Sequence, residues 1–252
     1  MINLDIRGAV ARVTLDRAPV NAINDEWLRL FDERLDRIEA AEGVGVVHIR
    51  SAHKAFCGGM DLDHFRKLFA AGGSDEDFAR SVGAFQRVFA RIEGLPQVTV
   101  CEIGGAALGG GLELALACDI RVASERAKVG LPETGLGLIP GAGGTQRLTR
   151  LCGKGTASRL ILGADVIDGA TAAQFGIVQW AWPAEELAAR VEALIERLVG
   201  LSPRAVHEAK ALIAAAGDKD RDGFAEEIAA DRRLYNTEDT RRRVSDFLAG
   251  AR

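Results

Sequence analysis

Two glutamates, Glu113 and Glu133, each lie inside a glycine-bounded segment, and this pairing constrains the chain more than any other feature. The first segment reads Gly104-Gly105-Ala106-Ala107-Leu108-Gly109-Gly110-Gly111-Leu112-Glu113-Leu114-Ala115-Leu116-Ala117-Cys118. Three consecutive glycines followed by Leu and Ala predict a tight turn that opens a buried helix, because glycine turns freely and the residues after it propagate helix well. The first N–H groups of such a helix lack an intrahelical partner and favour negative charge. The second segment, from Leu131-Pro132-Glu133-Thr134-Gly135 to Gly143-Gly144-Thr145-Gln146-Arg147, holds too much glycine and proline for a regular helix or a central strand. Glu133 is therefore expected on a rigid loop, and loops held by a scaffold often carry function.

The remainder reads as an α/β chain. Ala9 to Leu15, Val44 to Arg50, Val98 to Ile103 and Ile120 to Ala123 are short Val- and Ile-rich runs, the pattern of strands. Between them, Asn24 or Asp25 can cap a helix that places Leu28, Phe31, Leu35 and Ile38 on one face. Ser74-Asp75-Glu76-Asp77 offers a capping box before Val82, Phe85, Val88, Phe89 and Ile92. From about Pro183 the strand signals stop, and helices are expected over Ala184 to Leu198, Pro203 to Ala215 behind the cap Ser202, Gly223 to Tyr235, and Thr240 to Leu248.

A length of 252 residues is enough for one large domain or a domain with an appendage. The net charge of −4, from 32 basic and 36 acidic residues, gives no global field to gather nucleic acid or an anionic membrane. No apolar run approaches the ~20 residues of a membrane helix. Cys57, Cys101, Cys118 and Cys152 have no C-x-x-C spacing, which fits reduced thiols in a cytoplasm. His48, His53, His64 and His207 make no paired-ligand spacing, so no metal is expected. Ser51-Ala52-His53-Lys54 lacks the partner motifs of an S-x-x-K enzyme, and Cys152-Gly153-Lys154-Gly155-Thr156 lacks the spacing of a P-loop.

With these two segments stand Lys54-Ala55-Phe56-Cys57-Gly58-Gly59-Met60-Asp61-Leu62, Leu15-Asp16-Arg17 with Asn21-Ala22-Ile23, and Ala170-Thr171-Ala172-Ala173-Gln174-Phe175-Gly176-Ile177-Val178. In this order the motifs resemble the crotonase, or enoyl-CoA hydratase/isomerase, superfamily from about Ile6 to Phe247. The resemblance implies a crotonase-like ββα-spiral core over residues 1–196 and a helical C-terminal trimerisation region over 197–252, giving a homotrimer or a dimer of trimers. It implies a cytoplasmic enoyl-CoA hydratase that adds water reversibly and syn to a 2-trans-enoyl-CoA thioester, with coenzyme A only as part of the substrate and no other cofactor.

By the same resemblance, the backbone N–H groups of Met60 and Gly110 form an oxyanion hole, Glu113 orients and activates water, and Glu133 protonates the α-carbon. Ala22, Ala55, Gly58, Asp61, Leu62, Gly109, Pro132 and Leu136 are implied in binding the substrate, with Phe65 and Leu68 as further pocket candidates. Asp61 also reads as the cap of a helix over Leu62 to Phe69. Met60 stands where the family usually has a small residue, and its flexible side chain bears on acyl selectivity. Lys54, Arg17 and Lys210 are candidates for the CoA phosphates. Arg241-Arg242-Arg243 replaces the family's usual Glu-Gly at its last two positions. Two alternatives stay open: a double-bond isomerase or other enolate-forming enzyme using the same oxyanion hole, and a non-catalytic relative that binds RNA.

Overall fold

The computed structural model describes residues 1–63, 66, 70, 72 and 74–250. Its frame is a six-stranded sheet built from β1 (Ile2–Arg7), β2 (Val10–Leu15), β3 (Val46–Ser51), β4 (Val98–Ile103), β6 (Ile120–Ser124) and β9 (Trp180–Trp182), in that spatial order. β1 runs antiparallel to β2, and every later neighbour is parallel. Parallel strands need crossovers that cover both faces of the sheet, which is why β3 and β4 read as nearly continuous apolar runs. A second sheet joins β5 (Ala107–Leu108), β7 (Lys128–Gly130) and β8 (Val166–Asp168).

Helices α1 (Asp25–Glu39) and α2 (Asp75–Gly94) cover one face of the large sheet. Trp27, Phe31, Leu35, Phe85, Phe89 and Ile92 are buried there. At ~25 cal/mol per Å² of apolar area, each such large side chain stabilises the fold by roughly 1.5–3 kcal/mol. α6 (Ala184–Val199) covers the opposite face with Leu187, Val191, Leu194 and Ile195 against Val46, Val98, Val100 and Val122. α3 (Gly110–Leu116), whose seven residues are all buried, packs on β5 and on α4 (Gly144–Ile161), and α5 (Gly169–Gln174) touches strands of both sheets. The chain ends in α7 (Pro203–Ala215), α8 (Gly223–Tyr235) and α9 (Glu238–Leu248).

The caps behave as their chemistry requires, with one exception. The Asn24 side chain accepts from Trp27 N, and Ser74 with Asp77 forms the reciprocal capping box. Ser202 sits at the start of α7 but makes no side-chain cap. Its hydroxyl instead bonds to Asp239, whose carboxyl it helps hold down to about 2. Of the Arg241–Arg243 triplet, Arg242 pairs with Asp239 and Arg243 reaches both Asp239 and the Gly200 carbonyl.

Three features depart from the sequence reading. Ile2–Arg7 is a strand, although its alternating Asn3, Asp5 and Arg7 are poor strand formers, because pairing to β2 buries Ile2. Glu133, expected on a rigid loop, lies on a short 3-10 helix, Pro132–Leu136, begun by the fixed φ of Pro132 and ended by Gly137 at φ 75°. Gly144 already belongs to α4, a helix broken at Gly153 by φ 77°, so its glycines hid it from periodicity. Of the Leu62–Phe69 helix, His64, Phe65, Lys67, Leu68 and Phe69 lie outside the described residues.

The contact between α3 and the chain before it is backbone against backbone. A Cβ on Gly111 would overlap the Cys57 carbonyl, whereas one on Gly94, near the end of α2, meets nothing within 4 Å. Helix propensity alone predicts that either Gly→Ala change stabilises by up to ~1 kcal/mol. Gly111→Ala is expected to lower stability by ~2 kcal/mol or more, because rigid backbone must move, while Gly94→Ala should be neutral or stabilising. Urea unfolding of the two variants beside the parent checks the contrast.

Candidate active site

The segment from Gly58 to Asp61 is pinned along the loop from Val20 to Ile23. Gly58 N–H donates to the Val20 carbonyl at 2.8 Å, Ile23 N–H to the Gly59 carbonyl at 2.8 Å, and Asp61 N–H to the Ile23 carbonyl at 2.8 Å. Met60 N–H has no such bond among the described residues and turns toward α3. Gly109, at φ 53° and ψ −127°, starts that helix, and its carbonyl accepts from Leu112 at 2.8 Å and Glu113 at 3.0 Å. Gly110 N–H is thereby left without a helical acceptor. A Cβ on Gly59 would lie 3.1 Å from Gly110 N, and one on Gly110 would lie 3.6 Å from Met60 N. Glycine at both positions lets the two free N–H groups approach one spot.

Beside that spot opens a cleft of about 570 Å³. Gly58, Met60, Leu62, Gly109, Gly110, Glu113, Pro132, Glu133 and Leu136 all line it. Ala22, Ala55 and Asp61 do not. The Ala22 carbonyl accepts from Arg17 Nη1 at 2.6 Å, the Ala55 carbonyl from Ser51 Oγ at 2.7 Å, and Asp61 pairs with Arg17 at 2.7 Å. Arg17 and Lys210 thus have carboxylate partners, Lys210 being 2.7 Å from Asp119, while Lys54 is exposed. Phe65 and Leu68 lie outside the described residues.

The other wall comes from α2, through Phe78, Val82, Phe85 and Gln86, and from Leu138, Ile139 and Ala142. The sequence pattern gave Val82 and Phe85 as apolar positions of a capped helix and did not mark them for the site. Their helical spacing is the same whether the far side is a neighbour or a cavity, and Gln86 resembles any solvent-facing polar residue.

Both carboxyls of the cleft are desolvated. Glu113 is 3% exposed, and its Oε1 accepts from Gly144 N–H at 2.7 Å. Burial pushes its pKa up to about 7, with the Glu133 charge adding to the rise while the backbone N–H groups of Gly144 and Ala142 and the Arg147 guanidinium oppose it. Glu133 is also raised, chiefly by burial. Its Oε2 is buried without a hydrogen-bond partner among the described residues, and its Oε1 lies 3.0 Å from the place a Cβ on Gly109 would take. Two acids whose charged forms are both penalised suit holding one proton between them, the arrangement that lets one take a proton while the other gives one.

Among the described residues, no group of three or more His, Cys, Asp or Glu side chains could hold a metal ion, and no helix is long and apolar enough to cross a membrane. All four cysteines are free thiols, and burial raises Cys57 to about 12.

The same chain pattern and shape occur in proteins of known type. A family model described as enoyl-CoA hydratase/isomerase matches residues 5–248. The short-chain-enoyl-CoA hydratase of Clostridium acetobutylicum is 34% identical over 249 residues, covering 97% of this chain and 93% of that one. The crotonyl-CoA hydratase of Syntrophomonas wolfei is 38% identical over 194 residues, covering 76% and 72%. The crystal structure of an enoyl-CoA hydratase from Bacillus anthracis superposes with a TM-score of 0.90 at 33% identity, covering 99% of this chain and 96% of that one.

Burying Glu113 has a stability consequence. Its raised pKa means the fold is favoured while the group is protonated, and that stability is lost as pH rises from 4.5 through about 7. A shift of this size is worth on the order of 3 kcal/mol. Glu113→Gln, neutral at every pH and still able to accept from Gly144, is expected to unfold at a higher temperature than the parent at pH 8 and to lose that advantage near pH 5. Thermal unfolding at the two pH values checks it.

Proposed function

We propose, on the premise that the chain belongs to the enoyl-CoA hydratase/isomerase family of the crotonase superfamily and is an enoyl-CoA hydratase, that Glu113 and Glu133 add water across the 2-trans double bond of an enoyl-CoA thioester. The reaction is that of a hydro-lyase, and the product is a 3-hydroxyacyl-CoA. The observation that carries the residue assignment is the meeting of two desolvated carboxyls and two acceptor-free backbone N–H groups at one cleft.

The thioester carbonyl accepts from Met60 N–H and Gly110 N–H. These donors are fixed in advance and aimed where negative charge develops, an arrangement worth several kcal/mol. A water between the two carboxyls then loses a proton to Glu113 as its oxygen bonds to the β-carbon. The π electrons move through the α-carbon onto the carbonyl oxygen. The enolate collapses as Glu133 delivers its proton to the α-carbon, and a proton passing from Glu113 to Glu133 through the next water restores the start. Both parts of the water come from the carboxyl side, so addition is syn.

The environments of the two acids support this division. Glu113 has Gly144 N–H and the nearby Arg147 to support its charged form, as a base requires. Glu133 Oε2 has no donor among the described residues to support a charge, as an acid kept protonated requires. Coenzyme A enters as part of the substrate, and the scheme uses no other cofactor.

We read the C-terminal helices, from about residue 197, as a trimerisation region whose copies form a homotrimer or a dimer of trimers. Phe224, Ile228, Tyr235, Phe247 and Leu248 support this, since all are well exposed apolar or aromatic side chains in one short stretch. The buried free thiols support a cytoplasmic home.

Hydration of crotonyl-CoA, followed by loss of the conjugated thioester absorbance and by product mass, tests the reading. Glu113→Gln and Glu133→Gln are each expected to lower turnover by ~10²-fold or more with the fold intact, and near-parent turnover in either variant would reject its role. Because the base must be ionised, kcat/KM is expected to fall as pH drops below about 7.

A further inference from the structure

The scheme leaves one part of the site unexplained, the loop over residues 141–144. Its Gly144 N–H meets Glu113 at 2.7 Å, yet the loop passes through Gly143 at φ 106°, a conformation that glycine-rich chain leaves as easily as it enters. Two side chains, Gln86 and Arg147, hold it in place. Gln86 Nε2 donates to the Gly141 carbonyl at 2.6 Å. Arg147 Nη1 donates to the Ala142 carbonyl at 2.9 Å, and its Nη2 and Nε donate to Glu93 at 2.8 and 3.1 Å. Gln86 and Glu93 stand seven residues apart on α2, two turns on one face, so a single helix anchors both ends of the tether.

Arg147 is the junction. Its side chain is 12% exposed, while Glu93 is half exposed, so the guanidinium is packed and its partner sits at the rim. The guanidinium occupies the space that a Cβ on Gly143 would need, which makes the tight turn and the arginine one unit. A planar fork suits this task, since it serves the loop carbonyl with one nitrogen and the carboxylate with others. The charged groups acting on Glu113 are Glu133 from the 3-10 turn and Arg147 from α4, whereas α2 faces the cleft with the uncharged Phe78, Val82, Phe85 and Gln86.

We propose that Arg147 is a positioning residue for hydration: it holds the 141–144 loop against α2 so that Gly144 N–H meets Glu113, and it sets a positive charge beside that carboxylate. The inference rests on Glu113 being the base of the proposed reaction. It follows that losing the charge and losing the tether are separable. Glu93→Gln weakens the tether and keeps the guanidinium, Arg147→Lys keeps charge and loses the fork, and Arg147→Met loses both.

The experiment measures crotonyl-CoA hydration against pH for the parent and these three variants, with an infrared titration of the Glu113 carboxyl read as the difference from Glu113→Gln. Arg147→Met is expected to lower kcat at least ~10-fold with KM within ~3-fold, and to move the acid limb of kcat/KM upward by ~0.5 pH unit or more. Arg147→Lys should return the limb toward the parent without restoring kcat in full, and Glu93→Gln should lower kcat without raising the limb. A limb that stays put in Arg147→Met, or rises equally in the Lys variant, would overturn the proposal, as would parent-like kcat in Arg147→Met. Should Arg147→Met not fold, the Lys and Glu93 variants carry the same decision. If the parent hydrates nothing, the hydratase reading fails, and the infrared titration still decides whether Arg147 acts on Glu113.

Discussion

The site depends on the approach of two stretches of backbone that no side chain separates. Gly59 lies so close to the start of α3 that a Cβ there would come 2.8 Å from the Leu108 carbonyl, and one on Gly111 would overlap the Cys57 carbonyl. This contact brings two N–H groups that no helix or strand uses to one point, and it fixes the helix from which Glu113 enters the cleft. Glycine's usual penalty inside a helix, about 1 kcal/mol relative to alanine, is offset by geometry that alanine cannot adopt. The sheet, with helices packed on both faces, supplies the rigidity that keeps the two stretches in register.

The same site works against the stability of the fold. Burial penalises the charged forms of Glu113 and Glu133, and the charge of Glu133 adds to the cost of ionising Glu113. Among the described residues neither is neutralised by a direct salt bridge, which would lock the proton that the proposed reaction moves. Glu113 receives backbone N–H donors and a nearby guanidinium, enough to ionise near neutrality, while Glu133 receives less. The two chemically identical groups differ in their surroundings, since the loop over residues 141–144 supplies Glu113 with the N–H groups of Gly144 and Ala142.

Much of this was legible in the chain because the features are local. The four Val- and Ile-rich strands, the Asn24 and Ser74 caps and the glycine-bounded glutamates all announce themselves within a window of a few residues. The short strands β5, β7, β8 and β9 have two or three residues each and carry no period to detect. α4 was hidden by its opening Gly143-Gly144 and its break at Gly153. The α2 wall of the cleft gave no signal of its own, because an apolar helix face looks the same over a cavity as over a neighbour. Ala22, Ala55 and Asp61, implied by resemblance, are not among the residues that line the cleft, and they bond instead to Arg17 and Ser51. Arg147 and Glu93 meet across 54 residues, a separation at which one sequence offers no pairing signal.

The most direct test of two carboxyls moving the parts of one water is hydration of crotonyl-CoA in deuterium oxide, with the product read by mass and proton NMR. The account predicts a 3-hydroxyacyl-CoA carrying one deuterium at the α-carbon, in the single diastereomer that syn addition gives. Deuterium at the γ-carbon with a shifted double bond and no hydroxyl, or a mixture of α-carbon diastereomers at early times, would contradict it.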